Sequence, residues 1–285
     1  MRIAMLGLQS TGKTTYAVGA YAGMRSGKYS SLRFVKVTDS VATLNAGLER
    51  LSRRLPVSRT DTGEAETIGL RVKTEDELEH DLRVPDRSGE ALRGTLHSRS
   101  WDRALLEELR EAEGLLLFLR PGQIRPGESV AELAALTPLP ENADPEKEEE
   151  KRWEPQMMPT DVSMVDALQE LHEASDHTGA PIAVVISAWD EVPEGLTPRE
   201  WLQRRVPLLA QYLEATADHF QTTVFAVSVQ GSAFVELETE EEGETIKVEV
   251  DASEPDPWDR ASCFDADGLE TELVAPLVWI LNGGG

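Results

Sequence analysis

Eight residues near the start of the chain have the types and the spacing of a phosphate-binding loop. The stretch Gly7-Leu8-Gln9-Ser10-Thr11-Gly12-Lys13-Thr14 fits the pattern G-x-x-x-x-G-K-[ST] at every fixed position. Its two glycines let the backbone curl so that successive N–H groups point at a phosphate. Lys13 adds a charge that reaches the β- and γ-phosphates of a nucleotide, and the Thr14 hydroxyl is a ligand for Mg²⁺. The pattern therefore predicts a site for a nucleoside triphosphate.

The sequence on both sides of this loop predicts the strand and the helix that such a loop needs. Residues 2–6 form a short apolar stretch typical of a buried strand, and residues 15–24 have apolar positions at helical spacing. A helix that begins here directs its positive N-terminal end at the phosphates. A chance match in a glycine-rich turn lacks this strand and helix, so the context favours nucleotide binding.

Polar residues also come at the ends of three other predicted strands. Asp86 ends a predicted hairpin and starts Asp86-Arg87-Ser88-Gly89-Glu90, where a carboxylate can hold Mg²⁺ and the Gly89 N–H can meet a γ-phosphate. Asp190 follows the apolar stretch 181–187, and a carboxylate there can accept two hydrogen bonds from guanine, a donor pair that adenine lacks. The turn Ser228-Val229-Gln230 ends the apolar stretch 223–228 and is predicted to close over the base.

Predicted strands alternate with predicted helices, which indicates a mostly parallel α/β sheet with ligands at the carboxyl ends of its strands. We expect a three-layer P-loop NTPase fold with six strands, helices on both faces and one antiparallel hairpin at the edge, formed by residues 68–72 and 78–84. The chain 1–285 is expected to be one domain, with acidic insertions at about 121–160 and 233–262, the second containing a hairpin. The later helices are predicted at 40–55, 101–112, 161–177, 197–220 (bent at Pro207) and 269–281.

Charge and composition limit the classes of binding partner and the compartment in which we expect the protein. The chain has 285 residues and a formal net charge of −24, which argues against nucleic acid and anionic membrane surfaces as main partners. Acidic runs at 141–150 and 236–244 are interpreted as solvated loops, with docking of a basic protein surface as the alternative. The single cysteine, Cys263, excludes a disulfide framework. Apolar runs are too short to cross a membrane, and the first strand follows Met1 directly, so we expect a cytoplasmic protein.

The order of these motifs along the chain resembles that of the Ras-like GTPases of the translation-factor-related class. The base motif Ser187-Ala188-Trp189-Asp190 and the long insertions are similar to bacterial double-GTPase proteins. Those proteins are predicted components of conflict or anti-phage defence systems, usually encoded beside GTPase-associated adaptor proteins. The resemblance implies a Mg²⁺-dependent switch between GTP- and GDP-bound states, with a protein effector or adaptor, or another GTPase, as its partner. It leaves the oligomeric state open.

The resemblance also implies roles for individual residues. Lys13, Gly89 and Glu90 would act in hydrolysis. Mg²⁺ would be held by Thr14, Asp86 and a switch-I threonine, for which Thr62 has the best spacing and Thr60 and Thr67 are alternatives. The nucleotide-binding set would be Gly7, Gln9, Ser10, Thr11, Gly12, Lys13, Thr14, Thr15 and Gly89 at the phosphates, with Ala188, Trp189, Asp190, Ser228, Val229 and Gln230 at the base.

Three positions depart from the family pattern. Ala188 replaces a lysine that packs along the base, and Ser187 replaces Asn or Thr, while Trp189 either stacks on the base or belongs to the core. Glu90 replaces the glutamine that orients water, and its charge would repel a γ-phosphate, so hydrolysis should be slow or need an added group. Arg87 and Arg59 are candidates for that group, as is an arginine from a partner. Two other functions remain: a nucleotide-binding pseudo-GTPase scaffold, and an ATP-using P-loop protein if Asp190 does not reach the base.

Overall fold

The computed structural model describes most of the chain outside the first predicted insertion. The described residues are 1–52, 55–57, 66–86, 89–98, 100, 103–127, 157–174, 180–193, 195–231, 234–241, 244–249 and 257–284. The strands among them are β1 (Ile3–Leu6), β2 (Leu32–Val37), β3 (Glu66–Thr74), β4 (Glu79–Asp86), β5 (Gly114–Leu119), β6 (Ile182–Ile186), β7 (Thr222–Ser228), β8 (Phe234–Glu241), β9 (Glu244–Glu249), β10 (Ser262–Phe264) and β11 (Glu270–Thr271). The helices are α1 (Lys13–Ser26), α2 (Ala42–Ser52), α3 (Gly89–Ser98), α4 (Arg103–Glu111), α5 (Thr160–Ala174), α6 (Pro198–Arg205), α7 (Pro207–Ala215), α8 (Pro257–Arg260) and α9 (Ala275–Leu281).

The central sheet has six strands in the order β1-β5-β6-β7-β10-β11. The first four are parallel, and β10 and β11 continue the sheet in the antiparallel direction. The carboxyl ends of the parallel strands therefore share one edge of the sheet. This arrangement confirms the predicted α/β P-loop NTPase fold.

The predicted hairpin is also present. Strands β3 and β4 pair antiparallel, and β2 pairs with the outer side of β3. A parallel bridge between Arg2 and Arg83, with an Arg83 N–H bond to the Met1 carbonyl at 3.2 Å, sets β4 beside the start of β1. The hairpin thus extends the sheet on the side of the phosphate-loop strand.

Apolar side chains cover both faces of the sheet. Along β5, Leu115, Leu117 and Leu119 belong to one buried cluster, and Leu116 and Phe118 belong to the other. Residues from α3 to α7 pack in the first cluster, and residues from α1, α2 and α9 pack in the second. A strand covered on both faces has no polar side, which explains why the sequence of β5 is continuously apolar.

One long predicted helix is divided into two. Thr197 caps α6 by the predicted capping box with Glu200, and Pro198 occupies the first helical position. The helix stops at Val206, whose φ and ψ are −137° and 59°, and α7 starts again at Pro207. Proline has no N–H for the helical ladder, so the predicted bend is a complete break.

Two segments differ from the sequence-based expectation. The predicted helix over 269–281 is wrong in its first part, because residues 270–271 form β11 and α9 begins only at Ala275. The reason is a tight turn in which the Asp265 carboxylate accepts hydrogen bonds from the N–H groups of Asp267 and Leu269, at 3.0 and 2.9 Å. A second difference is α3, which occupies residues 89–98, where no helix was predicted.

The insertions are described in part. In the first, Pro121–Gln123 form a single helical turn after β5, and residues 128–156 lie outside the described residues. In the second, β8 and β9 form the predicted acidic hairpin, with a register shift between Glu236 and Glu240. Among the described helices, none has the length and apolar character needed to span a membrane.

Candidate nucleotide-binding site

The phosphate loop joins β1 to α1 with a backbone that needs its glycines. Gly12 has a φ of 86°, and Ser10, which is not a glycine, has a φ of 62°. A Cβ added to Gly7 would lie 2.8 Å from the Phe118 carbonyl oxygen, so the loop passes too close to β5 for any side chain at this position. Gly12 is also the N-cap of α1, and it has no side chain to occupy the first N–H groups of the helix. The helix N-terminus is therefore presented to an anion in the loop.

Lys13 lies over this loop. Its side chain is largely buried, with 7% of the residue exposed. The Nζ atom donates to the carbonyl oxygens of Gly7 and Leu8, at 2.9 and 3.1 Å. The ammonium group is thus held at the loop by its own backbone, where a bound phosphate would meet it.

A buried hydroxyl connects the phosphate loop to the end of β6, which is separated from β1 by β5 in the sheet. Ser187, at the end of β6, donates from Oγ to the Thr11 carbonyl oxygen at 2.7 Å and lies 3.2 Å from the Leu119 carbonyl oxygen. The Thr11 hydroxyl in turn donates to the Leu8 carbonyl oxygen at 2.8 Å. The first residue of the predicted base motif therefore fixes the position of the phosphate loop.

The residues predicted to bind the base meet at the ends of β6 and β7. Ala188 adopts left-handed backbone angles, with φ 50° and ψ 47°, and starts the helical turn Trp189–Glu191. The Ser228 hydroxyl donates to Asp190 Oδ1 and accepts from the Gly231 N–H at 3.1 Å. Ser228 is buried and Asp190 is exposed. A buried hydroxyl therefore orients the Asp190 carboxylate, and the carboxylate itself remains exposed.

Two of the predicted base contacts face the core instead. The Val229 side chain is buried against α1, so close that a Cβ on Gly19 would lie 2.4 Å from it. Only the backbone of Val229 is left to meet a base. Trp189 is half-buried and packs against the apolar cluster that contains residues of α5 to α7. Gln230, the residue after Val229, is also half-buried.

The predicted metal ligands are described only in part. Thr14 lies in the first turn of α1. Asp86 is the last residue of β4 and pairs through its backbone with Glu66, at the edge of the sheet where the phosphate loop also begins. Thr67 lies on β3 opposite Pro85, and Thr60, Thr62, Arg59 and Arg87 lie outside the described residues. In the part of the chain that the structure describes, no group of three or more His, Cys, Asp or Glu side chains converges as a metal site.

The residues predicted to act in hydrolysis besides Lys13 begin α3. Gly89 and Glu90 are its first residues, so the segment after Asp86 leads into a helix rather than an extended loop. A backbone N–H in a first helical turn has no partner within its own helix. Gly89 keeps this capacity to donate to an anion.

Sequence reasoning missed one cation at this edge. Arg120 follows β5 directly, and its Nη1 lies 3.5 Å from the Ser10 carbonyl oxygen, while Nη2 donates to Glu191 Oε1 at 2.5 Å. The available signal was a charged residue directly after a fully apolar strand, the same kind of signal that identified Asp190 after β6. Arg120 and Glu191 are 71 residues apart, which no local pattern reveals.

Comparison with known proteins agrees with this geometry. A search of curated proteins finds no match. A family model, Double-GTPase 1, matches residues 4–280, which includes the phosphate loop, the strand ends and all but the last residue of the closing helix α9. Because the match covers nearly the whole length, the chain belongs to the Double-GTPase 1 family of P-loop GTPase domains.

Proposed function

We propose that this protein is a Mg²⁺-dependent GTP-binding switch that hydrolyses GTP slowly and signals its nucleotide state to a protein partner. The observation that carries the proposal is the hydrogen bond from Ser228 to Asp190, formed at the same sheet edge as the phosphate loop. We also propose that residues 1–285 form one GTPase domain with two insertions.

Guanine is the base that fits Asp190. An ionised carboxylate only accepts hydrogen bonds, and guanine offers two adjacent N–H donors to it. Adenine presents a ring acceptor at the first of these positions, which the carboxylate would repel. The hydrogen bond from Ser228 restrains Asp190 Oδ1, which supports this preference.

Magnesium would be held by few protein groups. The Thr14 hydroxyl, the Asp86 carboxylate and a switch-I threonine would complete a shell made mainly of phosphate oxygens and water, as Mg²⁺ prefers. We propose Thr62 as that threonine, with Thr60 and Thr67 as alternatives. Such a site would form only when the nucleotide supplies its phosphate oxygens.

The switch itself would lie in residues 57–66 and 86–95. A γ-phosphate would bring these segments to the phosphate loop, and hydrolysis would release them. Glu90, where related enzymes have glutamine, supports slow intrinsic hydrolysis, because its charge disfavours a γ-phosphate nearby. The partner would be an effector or adaptor, another GTPase or a GTPase-associated protein, in the cytoplasm of a bacterium and in a conflict or anti-phage defence system. Glu90 also keeps the pseudo-GTPase scaffold as a second candidate.

Fluorescent GTP and ATP analogues, titrated with and without Mg²⁺, test the guanine preference. Wild type should prefer GTP, and Asp190→Ala should lose most of that preference, while the exposed Asp218→Ala serves as the matched control. Asp190→Asn gives a gain of function: its amide can donate to the extra carbonyl of xanthine, so the variant should prefer xanthosine nucleotides. Equal affinity of wild type for GTP and ATP would overturn the proposal.

Two further measurements test the phosphate site and the catalytic role. Lys13→Ala should abolish binding of every triphosphate, and persistent binding would show that the loop is not the site. Single-turnover hydrolysis of bound GTP then separates the two candidates. A slow but measurable rate that Lys13→Ala removes supports the switch, and no turnover with or without candidate partners supports the scaffold.

A further inference from the structure

The second position of the base motif is Ala188, where the resemblance implies a lysine. Ala188 has only a methyl group, which cannot extend along a base or reach the phosphate loop. Its left-handed backbone, with φ 50°, directs the chain into the turn Trp189–Glu191. The Ser187 bond to Thr11 already fastens the phosphate loop to the end of β6. A longer side chain is needed to reach from the phosphate loop to the base loop, which is residues 188–191.

Arg120 lies where such a side chain is needed. Strands β5 and β6 pair in register, with Leu119 opposite Ile186, and the Ser187 N–H extends this pairing with a bond to the Leu119 carbonyl at 2.8 Å. Arg120 is thus the lateral neighbour of the first base-motif residue, about 4.8 Å away across the strands. Its side chain starts from the same sheet edge as the lysine that Ala188 replaces.

The contacts of Arg120 span both loops. Its guanidinium reaches the carbonyl oxygen of Ser10 in the phosphate loop and the carboxylate of Glu191 in the base loop. Glu191 is itself fixed, because its N–H donates to the Ala188 carbonyl at 2.9 Å and its carboxylate packs against Gly122. The guanidinium therefore lies between the two loops, with 33% of the side chain still exposed.

We propose that Arg120 replaces the absent lysine as the residue that positions the nucleotide, by tying Ser10 to the base loop and lying beside the bound base and ribose. This inference rests on the proposed GTP-binding function. A guanidinium can do this because it donates several hydrogen bonds in a fixed plane and stacks on flat rings. Glu191 neutralises its charge, so Arg120 acts through geometry more than through attraction of the phosphates.

The test measures dissociation of fluorescent GDP from four variants. Arg120→Ala should release GDP about tenfold faster than wild type, and Arg120→Lys, which keeps the charge but not the fork, about threefold faster. Adding Ala188→Lys to Arg120→Ala should restore most of the affinity. A lysine at 188 introduces no new backbone strain, since alanine already adopts the left-handed conformation. Arg103→Ala, which breaks an exposed Arg–Glu pair on α4, is the matched control and should behave as wild type.

The rescue distinguishes positioning from a general structural role. A residue that only stabilised the fold would lower the melting temperature of the nucleotide-free protein, and Ala188→Lys would not repair GDP binding. Unchanged GDP release in Arg120→Ala, or failure of Ala188→Lys to slow it, overturns the inference while wild-type GTP binding stands. If wild type itself binds no guanine nucleotide, the proposed function fails, and this result is distinguishable from the other two. Should Arg120→Ala not fold, Arg120→Lys with and without Ala188→Lys gives the same comparison.

Discussion

The hydroxyl of Ser187, at the end of β6, donates a hydrogen bond to the carbonyl oxygen of Thr11 in the phosphate loop, with 2.7 Å between the oxygens. Both residues are almost completely buried, and they are 176 residues apart in the chain. Because Asp190 comes only three residues after Ser187, this bond connects the two halves of the candidate site directly. It fixes the distance between the phosphate loop and the segment that carries Asp190.

Ser187→Ala should destabilise the protein by about 1–3 kcal/mol, because it leaves the buried Thr11 carbonyl without this donor. GDP should also dissociate faster, since the phosphate loop loses its direct bond to the end of β6, three residues before Asp190. Urea denaturation and release of fluorescent GDP measure the two effects. Ser98→Ala is the control, because Ser98 is exposed and water can replace its bonds to the Gly94 and Ser100 carbonyls. Equal stability of the two variants would contradict the prediction.

Gly19 and Val229 provide a second coupling, between the phosphate-loop helix α1 and the turn 228–230. Gly19→Ala should destabilise the protein by about 1–2 kcal/mol, because the new methyl group would overlap Val229, and overpacking outweighs the better helix propensity of alanine. In the double variant with Val229→Ala the two losses should not add, and denaturation should reveal a coupling of about 1 kcal/mol or more. Gly94→Ala, on an exposed position of α3 with open space around it, should instead be neutral or stabilising. Simple additivity at Gly19 and Val229 would argue against the close packing.

Cys263 should be unreactive in the folded protein. It is fully buried on β10, and burial raises the pKa of its thiol to about 12, so that almost no thiolate is present near pH 8. A disulfide reagent should label folded protein at least about 100-fold more slowly than protein in denaturant. Ser98→Cys, on an exposed helix position, supplies the reference rate in the same assay. Fast labelling of Cys263 in native buffer would place β10 outside the core.

The parts of this fold that sequence predicts are those with local causes. The phosphate loop is a contiguous motif, and β5, β6 and β7 are apolar because both of their faces are covered, so their ends could be located and Asp190 and Ser228 placed at one edge. The segment 269–271 shows the opposite case. Its apolar spacing favours a helix, but pairing with β10 and the turn at Asp265 override that preference.

Side-chain contacts between segments that are far apart in the sequence could not be predicted from local patterns, for a different physical reason. The bonds of Ser187 to Thr11 and of Arg120 to Glu191 depend on which strands become neighbours, and the strand order β1-β5-β6-β7 is set by the packing of the whole sheet. The turn 228–230 is predicted to close over the base because it follows a strand end, but its backbone directs the Val229 side chain toward Gly19. A residue at the correct edge can therefore still face the core.

Glu272 gives the stability of this protein a specific dependence on pH. Its carboxylate accepts hydrogen bonds from the N–H groups of Ser30 and Ser31, at 2.8 and 3.0 Å, and from both of their hydroxyls. Partial burial acts to raise the pKa of Glu272, but these hydrogen bonds outweigh it and hold the pKa below the ordinary value of a glutamate. The carboxylate thereby fastens the segment after α1 to the segment before α9.

Since the pKa of Glu272 is lower in the folded state than in the unfolded state, its contribution is fully present above pH 4.5 and is lost as the pH falls through the folded value. Glu272→Gln should therefore lower the free energy of unfolding at pH 7 by about 1 kcal/mol, a value reduced for solvent screening. The difference from wild type should shrink as the pH falls from about 5 to 3, because the wild-type carboxyl becomes protonated and the glutamine does not titrate. Denaturant unfolding at several pH values measures this difference in the free energy of unfolding, with Glu270→Gln, at an exposed position, as the control. A Glu272→Gln effect that stays constant from pH 7 to acid pH would contradict the assignment of the bond to the ionised carboxylate.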